Sequence, residues 1–164
     1  MKDIVFVRID DRLIHGQVVT GWMRQSQANR IVIVDDFVAK DPFMLDILKM
    51  AAPPNVSVNA YTIEKAIELL NGEPTSSNEK VLILVKTPEV ILALVEAGIK
   101  INHLNVGGMG SKPGRTKLFR NIQASPEEIE TFKKLADLGI DVEFRVVVDN
   151  KGVSLDEVLA GKKK

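Results

Sequence analysis

Apolar, β-branched runs recur along the chain at about 25-residue spacing with helical patterns between them, which implies βαβ crossovers and a mainly parallel sheet. The runs are Ile4–Ile9, Arg30–Val34, Val56–Tyr61, Val81–Val85 and Ile101–Val106. Ile14, Val18 and Trp22 at i+4 spacing, with Val19 and Met23 beside them, predict a first helix over Ile14 to Gln25. Asp41-Pro42, Thr62, Thr87-Pro88-Glu89, Ser125-Pro126-Glu127-Glu128 and Ser154 to Glu157 read as helix starts; Pro53-Pro54, Gly72, Gly98 and Gly139 read as stops. Thr116–Gln123 is read as one short extra strand and Ile140–Val148 as another. The expected architecture is a single α/β domain over residues 1–164: a doubly wound, mainly parallel sheet of about seven strands with helices on both faces, the last strands antiparallel. Residues 160–164 are expected to fray as a basic tail.

With a central first strand and right-handed connections, the strand order is expected to begin 3-2-1-4. The crevice between strands 1 and 4 is then the binding site. Three loops converge on it: Asp10–Gln17, Lys86–Glu89 and Gly107–Arg115. The first carries Arg12 into a helix N-terminus, the second sets the Thr87 hydroxyl at another, and the third offers backbone N–H groups as an anion nest. His15, one of two histidines, stands in the first loop three residues after Arg12.

Composition removes several classes. Lys+Arg and Asp+Glu number 22 each, so there is no basic excess for nucleic acid. No cysteine is present, which excludes disulfides and thiolate chemistry. No apolar run approaches the roughly 20 residues of a membrane span. Met1-Lys2-Asp3 enters a strand directly and leaves no room for a signal peptide, so a cytoplasmic protein is expected.

Nucleotide motifs fail as well. Pro113 stands where a Walker loop or a dinucleotide loop starting at Gly108 requires glycine. A receiver-like acidic pocket from Asp10, Asp11 and Thr87 lacks the aspartate it needs after the third strand, where Asn59-Ala60-Tyr61 stands. Asp35-Asp36 could bind Mg²⁺ with Asp10, but paired acids at strand ends are more often caps or ion-pair partners. His103 has no metal-ligand spacing to His15 and reads as structural; Trp22 and Met23 read as core. No serine sits in a nucleophile elbow.

An imidazole with its ordinary pKa of about 6.5 is mostly neutral at pH 7 and can attack phosphorus. Phosphoryl transfer then needs in-line positioning and charge compensation on the oxygens more than a general base. Val7-Arg8-Ile9-Asp10-Asp11-Arg12-Leu13-Ile14-His15-Gly16-Gln17-Val18 resembles the phosphorylation loop of enzyme IIB of the mannose/fructose/sorbose class of the sugar phosphotransferase system. The likeness runs on through Trp22, Ile31-Val32, Val34-Asp35-Asp36, Lys86-Thr87-Pro88-Glu89 and Asn105-Val106-Gly107-Gly108-Met109.

That resemblance implies a phosphocarrier without cofactor or metal. His15 would take a phosphoryl group from a IIA protein or domain and pass it to a sugar held by membrane IIC/IID subunits. It makes Arg12 the phosphate partner of His15, Thr87 and Gly16 further phosphate contacts, and Asp10 and Asp11 supports of the ring. Arg8 is either a phosphate contact or the ion-pair partner of Asp10 or Asp11. The competing reading is a flavodoxin-like regulatory or anion-binding module without covalent chemistry.

Overall fold

The computed structural model describes residues 1–161. Its main sheet takes, in spatial order, β3 (Ser57–Tyr61), β2 (Arg30–Val34), β4 (Val81–Val85), β1 (Ile4–Asp10), β5 (His103–Gly108), β8 (Asp141–Phe144) and β9 (Val153–Ser154). Every pairing is parallel except β8 with β9.

Strand 4 is where the expected order fails. It lies between β2 and β1, so the sheet does not begin 3-2-1-4. Val81-Leu82-Ile83-Leu84-Val85 has no polar side chain and all five are fully buried, which calls for an interior place but fits either side of β1. Such a strand needs neighbours on both edges and helices on both faces. The segment carrying α1 (Gly16–Ser26) passes over β4 to reach β2. Connection lengths are similar under either order, so spacing along the chain does not separate them.

The two faces bury alternate residues of the same strands, as the pleat requires. On one face Val19, Trp22 and Met23 of α1 and Leu48 of α2 (Pro42–Ala51) cover Ile31, Ile33, Leu82 and Leu84. On the other, α3 (Ile63–Asn71), α4 (Pro88–Glu96), α5 (Pro126–Asp137) and α6 (Leu155–Leu159) cover Val32, Val34, Ile83, Val85 and Val106. Neighbouring strands β1 and β4 thus send their chains to opposite faces. Their C-terminal ends form the expected crevice although the order around it differs.

Local signals set the helix ends. Asp41 accepts from the Met44 amide and Thr62 from the Lys65 amide, while Ser125–Glu128 and Ser154–Glu157 form capping boxes. The first helix starts at Gly16, not Ile14, because Leu13 is held at φ 58° and Gly16 at φ 49°. The single strand expected over Thr116–Gln123 is instead a hairpin, β6 (Thr116–Phe119) and β7 (Ile122–Ala124), turned at Arg120 with φ 50°. Without Gly in the turn, the sequence gives no hairpin signal there. The strand expected over Ile140–Val148 stops at Phe144, because the carbonyls of Arg145 and Val146 bond to a buried arginine. Of the expected tail, Ala160 and Gly161 close α6; Lys162–Lys164 lie outside the described residues.

At the opposite edge of the sheet, Glu79 accepts from Lys2 at 3.0 Å, Arg30 at 2.8 Å and the Thr75 hydroxyl at 2.7 Å. Burial alone would raise its pKa, but these donors outweigh it and bring the carboxyl down to about 2. A carboxylate depressed in the fold stabilises above its unfolded pKa and loses that contribution as pH falls through the folded value. Glu79→Gln is expected to cost about 3 kcal/mol at pH 7. Urea unfolding of parent and variant should show that gap narrowing below about pH 4.5 and closing near pH 2.

Candidate active site

Asp10, the last residue of β1, is fully buried and collects the site around its carboxylate. Oδ2 accepts from Arg8 Nη2 at 3.0 Å and lies 2.8 Å from His15 Nε2. Oδ1 accepts from the Arg12 amide at 3.1 Å and faces Arg12 Nε at 3.4 Å. Burial pushes the Asp10 pKa up; the His15 hydrogen bond, the Arg8 charge and the Arg12 amide outweigh that and hold it below the ordinary carboxylate range. An ionised carboxylate only accepts, so Nε2 carries the proton and a neutral ring keeps its lone pair on Nδ1.

The loop that delivers the ring is tightly wound. The Leu13 amide donates to the Asp10 carbonyl, closing a turn. Leu13 in the left-handed region costs roughly 1–2 kcal/mol, offset by the burial of Leu13 and Ile14 in the core. His15 then stands at the N-cap of α1 in extended conformation with no side-chain cap, its ring 21% exposed. No acidic residue occupies the first turn, so the positive end of the helix faces the ring. Gly16 opens the helix and is exposed.

Arg12 and Arg8 separate clearly. The Arg12 side chain is 56% exposed and only its Nε points toward Asp10, which leaves the guanidinium prongs at the mouth. Arg8 is fully buried. It bonds Asn105 Oδ1 at 2.6 Å, the Arg145 and Val146 carbonyls at 3.2 and 2.9 Å, and Asp10, with its guanidinium 5.5 Å from the centre of the Trp22 ring. Burial draws its pKa down and the Asp10 charge opposes this. Of the two readings of Arg8, the geometry matches the ion pair with Asp10. Both Nη groups are spent inside, on Asn105, Asp10 and the two carbonyls.

The glycine loop is also put to another use than the anion nest. A Cβ on Gly107 would lie 2.0 Å from Arg8 Cζ, and one on Gly108 would lie 2.6 Å from Asp10 Oδ1. These glycines let the two side chains lie flat on the backbone of β5. Neither has positive φ. The Gly110 amide donates to Asp11 Oδ2 at 2.6 Å, and Asp11 also faces Arg115 at 3.5 Å. Arg115 is itself clamped by Glu128 through two bonds of 2.8 Å, which raises its pKa above the ordinary value. Asp11 therefore ties the loop after β5 to the loop after β1.

Thr87 caps α4 by backbone position, but its side chain makes no cap bond and is half-buried. Register Ile9↔Val85 brings the ends of β1 and β4 side by side. Asp35 caps the turn at Phe37–Val38, and Asp36 caps α3 through the Ile63 amide. His103 begins β5 at the far edge, 3.5 Å from Glu143 and 3.7 Å from Asp141. Trp22 is buried against Phe6, and also lies under Arg8 and Arg145. Asn105, Arg145, Arg115 and Glu128 have no site role in the sequence reading. Only the polar Asn105 inside an apolar strand gives a signal there.

A surface histidine held by a buried carboxylate, at a switch point and a helix N-terminus, fits a phosphotransferase subunit. Residues 4–164 match the family described as PTS system sorbose subfamily IIB component, and the chain belongs to that family. It is 42% identical over 144 residues to the sorbose-specific EIIB component of Lacticaseibacillus casei, covering 88% of this chain and 87% of that one. It is 37% identical over 157 residues to the mannose-specific EIIAB component of Escherichia coli K12, covering 96% of this chain but 48% of that longer protein. The crystal structure of the IIBSor domain of the sorbose permease from Klebsiella pneumoniae superposes with a TM-score of 0.91 at 37% identity, covering 98% of each chain.

Proposed function

We propose that this chain, acting as one IIB unit, carries a phosphoryl group on His15 between a IIA donor and a sugar held by membrane IIC/IID subunits. The observation that carries this reading is the 2.8 Å contact of His15 Nε2 with ionised Asp10, which leaves Nδ1 as the nucleophile. In the first step the Nδ1 lone pair forms the N–P bond while the donor's own N–P bond breaks and returns its electrons to the donor imidazole. In the second step a sugar hydroxyl oxygen takes the phosphorus, the His15 N–P bond breaks, and the hydroxyl proton leaves to solvent or a base on the acceptor. Nε2 keeps its proton throughout.

Charge compensation falls to Arg12, the Thr87 hydroxyl and the first-turn amides from Gly16 onward. Arg8 acts one step back, holding Asp10. A IIA donor is supported by the mannose-specific relative, whose printed name joins an A part to the B part. The named sugars of the relatives differ, sorbose in one and mannose in another, which supports leaving sugar choice to the membrane partner. Among the described residues no helix is long and apolar enough to cross a membrane; in this reading the chain docks at the cytoplasmic face of the transporter. The test is incubation with phosphoenolpyruvate and the general phosphotransferase proteins plus a IIA donor: the reading expects one acid-labile, base-stable phosphoryl group, and an unlabelled folded chain contradicts it.

Arg12→Lys probes the phosphate contact. Lysine keeps the charge but not the planar fork. Losing one charge-assisted bond of about 1.5–3 kcal/mol slows transfer roughly 10–150-fold. Transfer within twofold of the parent by a stable variant would leave the phosphate to Thr87 and the backbone amides.

A further inference from the structure

Exposed apolar side chains concentrate in one segment of this molecule, α2 and the turn before it. Phe37 is 86% exposed, Phe43 74% and Met50 84%, with Met44 and Ile47 also open, all within residues 37–50. Phe43, Ile47 and Met50 fall at i, i+4 and i+7, so they form one stripe along α2, whose buried contact with the core is made through Leu48. The helix lies toward the β3 end of the sheet, and β3 is the terminal strand. No strand of the described sheet lies beyond it.

We infer that this stripe is the interface of a homodimer, two copies meeting face to face through α2. Three observations select a second copy. First, β2 and β3 are parallel, so α2 runs back from the His15 edge and carries Phe43, Ile47 and Met50 progressively away from it, with Phe37 nearest that edge. A transfer partner must instead reach His15 itself. Second, the charges beside it are balanced, Lys40 and Lys49 against Asp41 and Asp46, and the whole chain has no net charge. Two copies meet without net repulsion, whereas an anionic membrane surface calls for a basic flank. Third, the five side chains expose on the order of 600 Å², at the upper limit of the largest patch on an ordinary monomer. Two such faces bury roughly 1,200 Å², the lower bound for a specific complex.

A two-fold axis makes the contact isologous, with the same patch on both copies. With Ile47 at the axis and the helices crossing in opposite senses, Phe43 of one copy meets Met50 of the other, an aromatic–sulfur contact made twice. This assignment stands apart from the chemistry proposed for His15, since association and phosphorylation are read by separate experiments.

Sedimentation equilibrium of the full chain, from low micromolar to near millimolar concentration, is the test. The parent is expected to dimerise within that range. Ile47→Asp places like charges across the axis and should raise the dissociation constant at least about tenfold, with the phosphorylation rate unchanged and with thermal unfolding unchanged at concentrations low enough that both proteins are monomers. Mixing Ile47→Asp with Ile47→Lys in equal amounts should restore a heterodimer. A parent that stays monomeric throughout, or a dimer indifferent to both substitutions, overturns the inference. So does a monomeric parent whose stripe variants lose binding to membranes carrying the transporter subunits, which would assign the stripe to that partner.

Discussion

A chain carrying His15→Ala is expected to fold like the parent and take up no phosphoryl group from a IIA donor. The imidazole contributes little packing, since it sits in the loop ahead of α1 with its ring partly exposed. Its one hydrogen bond goes to an Asp10 carboxylate that still holds Arg8 and the Arg12 amide after the ring is gone. The stability change should therefore stay within about 1–2 kcal/mol. Loss of transfer should be complete, because the other histidine lies at the far edge of the sheet against Asp141 and Glu143. Thermal unfolding and a phosphorylation time course on the same sample separate the two effects. Retained labelling would move the chemistry to His103.

Asp10→Asn is the second large effect, and it strikes both fold and site. The parent carboxylate is fully buried and faces two arginines and the His15 ring. Asparagine leaves the Arg8 guanidinium without a counter-ion in a position with no access to water. Removing one partner of a buried pair typically costs about 3–5 kcal/mol. The amide also no longer forces the proton onto Nε2, since it can donate as well as accept. Both tautomers then compete, and phosphoryl acceptance should fall roughly 10–150-fold, the worth of one charge-assisted bond. Urea unfolding reads the first effect and the transfer rate at saturating donor reads the second. A variant as stable as the parent would show that Arg8 is neutralised by other means, since Asn105 and two carbonyls supply only dipoles.

Local chemistry was legible in the sequence, and long-range chemistry was not. Asp41, Thr62, Ser125 and Ser154 announce their helices because a cap and its helix are neighbours in the chain. His15, Arg12 and Asp10 stood out together for the same reason: six consecutive residues hold all three. The place of β4 was hidden because its neighbours depend on where α1 and α4 cross. Gly107 and Gly108 suggested an anion cradle because their true requirement, room for Arg8 and Asp10, is set nearly a hundred residues earlier. Arg8 stood open between phosphate and acid for the same reason, since Asn105 comes from β5 and the carbonyls of Arg145 and Val146 from the segment after β8. The β6–β7 hairpin was missed because Arg120 takes the positive φ that a glycine would have advertised.

The central claim is that Asp10 holds His15 so that Nδ1 carries the phosphoryl group. A long-range ¹H–¹⁵N spectrum of histidine-labelled protein, recorded before and after phosphorylation by a IIA donor, tests it most directly. The unphosphorylated ring should show the Nε2–H tautomer. After transfer, Nδ1 should carry the phosphorus and Nε2 should remain protonated. Phosphorus on Nε2, or a His15 ring unchanged while the protein gains phosphate elsewhere, would contradict the account.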